Sequence, residues 1–229
     1  MTVSLDGVMV LMVDSKKAEL KAAARVRGQA DKGPAGWSEA SVGVVSFYDK
    51  EGVRLETRRF GRMPEEDKAT TKGWIRAELE HIRKIRPDLT VQAIADGAAN
   101  NWSFLGSLDA DYETVDFYHT AEHLHRHVSK ANGASTVETQ GKLHEMRRQL
   151  LDVKGGSEVV FADFKQMRED AGTQAPSTTK TTGKRQPTFF DRHHGRMNYA
   201  ELREAKLPIG SGVTESTCKL TICDRMRRT

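Results

Sequence analysis

The chain has 229 residues, with 36 Lys+Arg against 32 Asp+Glu, 37% hydrophobic residues and two cysteines. This length suits one large domain or two small ones, and a core of useful size can be buried. With 30% charged residues, a mean hydropathy of −0.61 and no apolar run near ~18 residues, a membrane-spanning helix is excluded. Cys218 and Cys223 are too few for a disulfide framework or a four-cysteine zinc site, so a reducing cytoplasm is the expected compartment. The net charge of +4 is unevenly spread: residues 1–120 hold 17 basic and 19 acidic side chains, residues 121–229 hold 19 and 13. The excess positive charge lies in the second half and hints at a polyanionic partner there.

The opening segment over residues 2–13 is apolar but lacks a basic leader and carries Asp6, so it reads as a buried strand and not as a signal peptide. Residues 14–36 read as a polar excursion or short helix followed by a Gly/Pro-rich loop. Ala40 to Tyr48 is a second strand, Asp49 to Gly52 a turn, and Val53 to Phe60 a half-exposed third strand. These three segments form an antiparallel meander. Pro64 and the acids after it start a helix in which Trp74, Ile75, Leu79, Ile82 and Ile85 mark the apolar stripe, and Pro87 stops it. A fourth strand covers Thr90 to Ala95, a small helix Asn100 to Leu108, and a fifth strand Tyr112 to Phe117. A His-rich helix then runs from Tyr118 to about Ala131. Helices follow over roughly 136–152, 155–171 and 188–204, interrupted by a polar loop at 172–187, and a Gly-rich turn from Ile209 enters a last helix. The order β-β-β-α-β-α-β, then helices, predicts an α/β fold of the ribonuclease H type. Its mixed sheet has three antiparallel strands and then two crossover strands, with an all-helical insertion before the last helix. The predicted division is a sheet core at 1–119, a helical insertion at 120–206 and a closing helix at 207–229.

Three acids occupy special places in this layout. Asp6 sits inside an apolar strand, where a carboxylate is costly to bury unless it binds a cation or several donors; the plainer reading is an exposed edge-strand acid. Asp96 ends the fourth strand, where ligand-binding residues of α/β sheets concentrate, although Asp96-Gly97 also suits an ordinary turn. Glu215 opens the last helix, a position that the helix dipole favours for any acid. Taken together the three would repel one another unless divalent cations lay between them, and hard oxygen ligands suit two Mg²⁺ or Mn²⁺ ions. Such a pair performs phosphoryl transfer, in keeping with a basic half able to hold a nucleic-acid backbone.

Four segments carry a resemblance: Ser4-Leu-Asp-Gly-Val8, Ile94 to Trp102, Asp116 to Leu124 and Leu207 to Lys219. In this order they resemble the DDE transposases of bacterial insertion sequences, most closely the ISKra-type group and more distantly the Mutator-type. The resemblance implies metal-dependent DNA cleavage and strand transfer, with Asp6, Asp96 and Glu215 as catalytic, metal-binding carboxylates. It implies DNA, as transposon ends and target, for a partner, self-association on that DNA, and a nucleoid-associated location in a bacterial cytoplasm. Asp116 and His119 match an Asp-x-x-His motif thought to support the active site. Family members carry a DNA-binding region upstream of the first catalytic Asp and a longer C-terminal ending, so the expectation here is a catalytic core alone. The alternative is a truncated, inactive fragment that only binds DNA.

Other candidates compete. His119-Thr-Ala-Glu-His123 matches the His-x-x-Glu-His pattern of a zinc metalloprotease, with Glu201 or Glu204 as a possible third ligand. His123 and His127 otherwise read as surface or partly packed side chains. Trp102 is a candidate for base stacking or for core packing with Phe104 and Leu105. Arg192, His193, His194 and Arg196 form a basic cluster suited to phosphate contact or to solvent. Lys219 lies one helical turn beyond Glu215 and is placed to approach a scissile phosphate. Both cysteines read as small core residues or free thiols.

Overall fold

The computed structural model describes residues 1–12, 15–28, 37–132, 136–173 and 188–226. The strands are β1 (Thr2–Leu11), β2 (Trp37–Tyr48), β3 (Arg54–Arg62), β4 (Gln92–Ala95) and β5 (Tyr112–Val115). They line up in the order β3-β2-β1-β4-β5, so the chain is an α/β protein with a five-stranded mixed sheet, three strands antiparallel and two parallel. No helix among the described residues is long and apolar enough to cross a membrane. The chain divides into two compact units: unit 1 holds Met1–Phe47, Leu55–Thr90 and Gly212–Thr229, and unit 2 holds Tyr48–Arg54 and Val91–Ser211. The boundary predicted at 119–120 falls inside helix α4 (Phe117–Asn132).

In unit 1, β1 and β2 pair antiparallel from Thr2↔Ser46 to Leu11↔Trp37, and both faces of the pair are covered. One face carries Val10, Ala40, Val42 and Val44 and packs on Cys218 and Ile222. These last two belong to a π-helical turn, Cys218–Cys223, that continues α9 (Gly212–Thr217). The other face meets α2 (Ala69–Ile85), which buries Thr71, Ile75, Leu79 and Ile82. Ser41 Oγ and Thr71 Oγ1 are hydrogen-bonded at 2.7 Å across that contact. Gly43 permits the close approach, since a Cβ there would stand 2.8 Å from Ile75 Cδ1. The apolar stripe predicted for α2 is narrower in the fold, because Trp74 and Ile85 are exposed. The polar segment after β1 contains α1 (Ser15–Val26), and β3, at the sheet edge, is rich in arginine, which protects an edge strand from unwanted pairing.

In unit 2, β4 and β5 run parallel from Gln92↔Tyr112 to Ala95↔Val115, joined through α3 (Ala99–Leu105). Helices α4, α5 (Val137–Asp152) and α6 (Gly156–Thr173) build the helical core with Leu124, Val128, Leu143, Met146, Phe164 and Phe190. Each such side chain, fully buried, contributes about 1.5–3 kcal/mol. Thr136 caps α5, its side chain accepting from Thr139 N at 3.1 Å. The helix predicted over 188–204 is instead three short pieces: α7 (Phe189–His193), a 3-10 turn (His194–Arg196) and α8 (Tyr199–Glu204). Non-helical torsions at His193, Met197 and Asn198 break it, which seats Tyr199 at 0% exposure with its hydroxyl donating to Val115 O at 2.9 Å. Of the polar loop predicted at 172–187, Gly172 and Thr173 belong to α6, and 174–187 lie outside the described residues.

Candidate active site

Unit 1 carries Asp6 and Glu215. Asp6 lies mid-way along β1 on the face that packs against α9 and its π-helical continuation, half-buried and not on an open edge. Its Oδ1 accepts from Gly7 N at 2.7 Å, and its Oδ2 accepts from the Cys218 thiol at 3.4 Å. Burial, and next the neighbouring Asp6 carboxylate, push the Cys218 thiol well up, so it is a neutral donor. Glu215 stands exposed in the first turn of α9, three residues before Cys218. Lys219 is exposed on the π-helical turn. A π-helical turn is rare and frequently marks a functional position.

Unit 2 carries the other acids. Ala95 pairs with Val115, so Asp96 and Asp116 directly follow paired residues and leave the same C-terminal edge of the parallel pair. The ladder continues one step, with Asp116 N donating to Ala95 O at 2.8 Å. This edge is where α/β sheets place ligand-binding groups. Asp96 forms a tight turn in which its Oδ1 accepts from Ala98 N at 3.1 Å and from Asn101 Nδ2 at 3.4 Å. The turn is held from outside: Trp102 Nε1 donates to Asp96 O, and His193 Nε2 lies 3.2 Å from Gly97 O. The Phe189 ring lies so close to Gly97 that an added Cβ would stand 2.3 Å from it. The turn therefore needs glycine for space.

Asp116 is a fully buried carboxylate, and its surroundings explain how it is tolerated. Ser211 donates to Oδ2 through both its backbone N–H and its hydroxyl, and His119 N donates to Oδ1 at 3.0 Å. His119 Nδ1 stands 3.4 Å from the same Oδ1. Burial, the largest single influence, would raise the Asp116 pKa, but the bonds from His119 and Ser211 outweigh it and hold the group at about 2. Asp116 and His119 thus form an oxygen–nitrogen pair of potential metal ligands within unit 2.

The remaining candidates are largely engaged in packing. Trp102 and His193 are buried, their rings 5.9 Å apart, so Trp102 has no face open to a base. His194 stacks on Phe161 at 4.1 Å, and Arg196 lies over Trp102 while pairing with Glu113 at 2.6 Å. Of the basic cluster, Arg192 alone is exposed. His123 stacks on Phe189 at 3.8 Å, and burial lowers its pKa to about 4. His127 sets its edge against Phe164 and Phe190. Of the acids offered as a third zinc ligand, Glu201 accepts from Gly155 N at 2.7 Å and Glu204 pairs with Lys154 at 2.6 Å. Among the described residues no cluster able to hold a metal includes His123. The His-x-x-Glu-His spacing here serves an aromatic core.

Sequence reasoning placed Cys218 in the core but missed its bond to Asp6, and it missed Ser211 and the clamp of Phe189 and His193 on the Asp96 turn. Only Cys218 left a usable signal, its i+3 spacing from Glu215, which puts the two near one face of a helix.

These residues define an α/β protein with acids grouped at strand ends and on the sheet face below its last helix. No protein-family model, curated protein or solved structure matches the chain.

Proposed function

We propose that the chain is the catalytic part of a DDE-type transposase with a ribonuclease H-like sheet, which cleaves DNA and joins strands. The observation that supports this reading most is the bond between Asp6 and Cys218, 212 positions apart, which draws the first strand toward the helical segment bearing Glu215 within unit 1. In unit 2, Asp96 follows β4 at the C-terminal edge of the parallel pair, where α/β sheets place ligand-binding groups. Carboxylate oxygens of this kind suit Mg²⁺ or Mn²⁺, and among the described residues the Asp96 Oδ2 accepts no hydrogen bond. A bound divalent ion supplies the positive charge that favours an attacking oxygen and a leaving oxygen at phosphorus. The chain's own groups do the positioning. Cys218 and the Gly7 amide orient the Asp6 carboxylate, and the Asx turn together with Trp102 and His193 orients Asp96. Asp116 and His119 stand beside Asp96 as supporting groups, and the exposed Lys219 is free to meet a phosphate.

The test is strand cleavage of plasmid DNA carrying the chromosomal flanks of the coding gene, in Mg²⁺, by the wild type and by Asp96→Asn. Nicking by the wild type and none by the variant is expected. Equal nicking by both would sink the carboxylate assignment, and DNA binding without cleavage by either would replace this reading with that of a DNA-binding fragment.

A further inference from the structure

A groove of 420 Å³ lies between α4 and α5 in unit 2, lined by Tyr118, Ala121, Glu122, His125, Arg126 and Arg147. Four of these, Tyr118, Glu122, His125 and Arg126, lie on one side of α4 because their spacing follows the helical repeat, and Arg147 faces them from α5. Tyr118, His125, Arg126 and Arg147 are all exposed. Arg126 has only a loose partner, Glu122 at 3.8 Å, and among the described residues Arg147 has no ion pair. The groove thus carries two guanidinium groups against one carboxylate, with a phenol ring at one end that is 68% exposed and meets Phe117 edge-on. Tyr118 stands two residues past Asp116, so that end adjoins the strand edge carrying Asp96 and Asp116.

We propose that this groove binds a DNA strand leading to that edge, with Arg126 and Arg147 on successive phosphates and Tyr118 stacked on an unpaired base. The inference rests on the reading of the chain as a DNA-processing enzyme and adds the surface that guides the strand. The chemistry follows from the side chains. Guanidinium forks match phosphate oxygens in pairs, and an exposed aromatic face accepts any base. A ring open to solvent favours an unpaired base over one held within a duplex. Glu122 opposes the phosphates and moderates the binding, so its neutralisation has the reverse effect of removing an arginine.

The experiment measures fluorescence anisotropy of a labelled single strand and of the matching duplex over a range of salt, in EDTA so that no cleavage occurs. Arg126→Ala with Arg147→Ala is expected to weaken single-strand binding about tenfold and to lower the slope of log K on log salt by about 1.4. Arg126→Lys with Arg147→Lys keeps most of that slope, Glu122→Gln tightens binding, and Tyr118→Ala weakens the single strand about tenfold but the duplex less. A free nucleoside monophosphate does not displace the strand, since it offers one phosphate to a groove that grips two. All the substituted residues are exposed, and matching melting curves confirm intact folds. Wild-type binding and Mg²⁺-dependent nicking, with affinity and slope unchanged in the double alanine variant, would overturn the groove assignment alone. A wild type that binds no DNA would overturn both readings.

Discussion

Cys218 donates its thiol hydrogen to Asp6 Oδ2 across 3.4 Å, tying the middle of the first strand to the π-helical turn that follows Glu215. The thiol also fills the Val10, Val42 and Val44 face. Cys218→Ala removes both roles and is expected to lower the unfolding free energy by about 1–2 kcal/mol. Cys218→Ser keeps a donor and should lose less. Urea unfolding of the two variants decides it, and a serine variant as weak as alanine would show that packing alone matters.

Asp116 accepts two bonds from Ser211 and one from His119 N, all at a buried carboxylate. Asp116→Ala leaves those donors without their acceptor and should cost about 3 kcal/mol, against about 1 kcal/mol for Ser211→Ala. The group sits at about 2 in the fold and at 3.8 when unperturbed. Its contribution is therefore full above 3.8 and is lost as pH falls toward 2, because the unfolded chain takes up the proton first. Asp116→Asn should flatten that part of the stability–pH curve, measured by denaturant titration at each pH.

The Asp96 turn depends on space beside Phe189. Gly97→Ala would put a Cβ within 2.3 Å of the ring and should cost about 1–3 kcal/mol. In a Phe189→Ala background the same change should cost at least ~1 kcal/mol less, since the ring is gone. A double-mutant cycle on thermal unfolding measures the coupling, and simple additivity would contradict the contact.

His123 titrates at about 4 in the fold against an ordinary 6.5, with burial as the main cause and the Arg126 charge next. Between those values the unfolded chain binds the proton and the native chain does not. The stabilisation is whole above 6.5 and declines as pH falls toward 4. His123→Phe keeps a ring on Phe189 without the proton and should weaken that decline. Denaturation midpoints that fall equally in variant and wild type would place the effect elsewhere.

Much of the architecture was legible because periodicity reports burial. The apolar runs of β1 and β2, the short β4 and β5, and the spans of α4 and α5 each stand close to their predicted limits. The misses share one cause: a pattern shows that a residue is buried or polar but not what it meets. Of the two readings open for Trp102, core packing holds and base stacking does not, and His193, offered for phosphate contact or for solvent, is also buried, both against the Asp96 turn. The histidines of α4 matched a zinc spacing that an amphipathic helix facing phenylalanines produces equally well. The break at Met197 and Asn198 follows Gly195, a weak signal by itself, and the burial of Tyr199 fixes where it falls. That Cys218 would reach Asp6 depends on a contact spanning nearly the whole chain, which no local window contains.

Unit 1 is assembled from three stretches of chain, the last of them, from Gly212 onward, made after all of unit 2. During synthesis the valine face of β1 and β2 therefore waits uncovered until Cys218 and Ile222 emerge. Unit 2, nearly contiguous, can close first. The nascent chain spends that interval with an apolar strand face open to solvent, a state prone to association. A ribosome that stalls before the last helix would release a sticky half-sandwich, so production of this protein should respond sharply to C-terminal truncation and to chaperone supply.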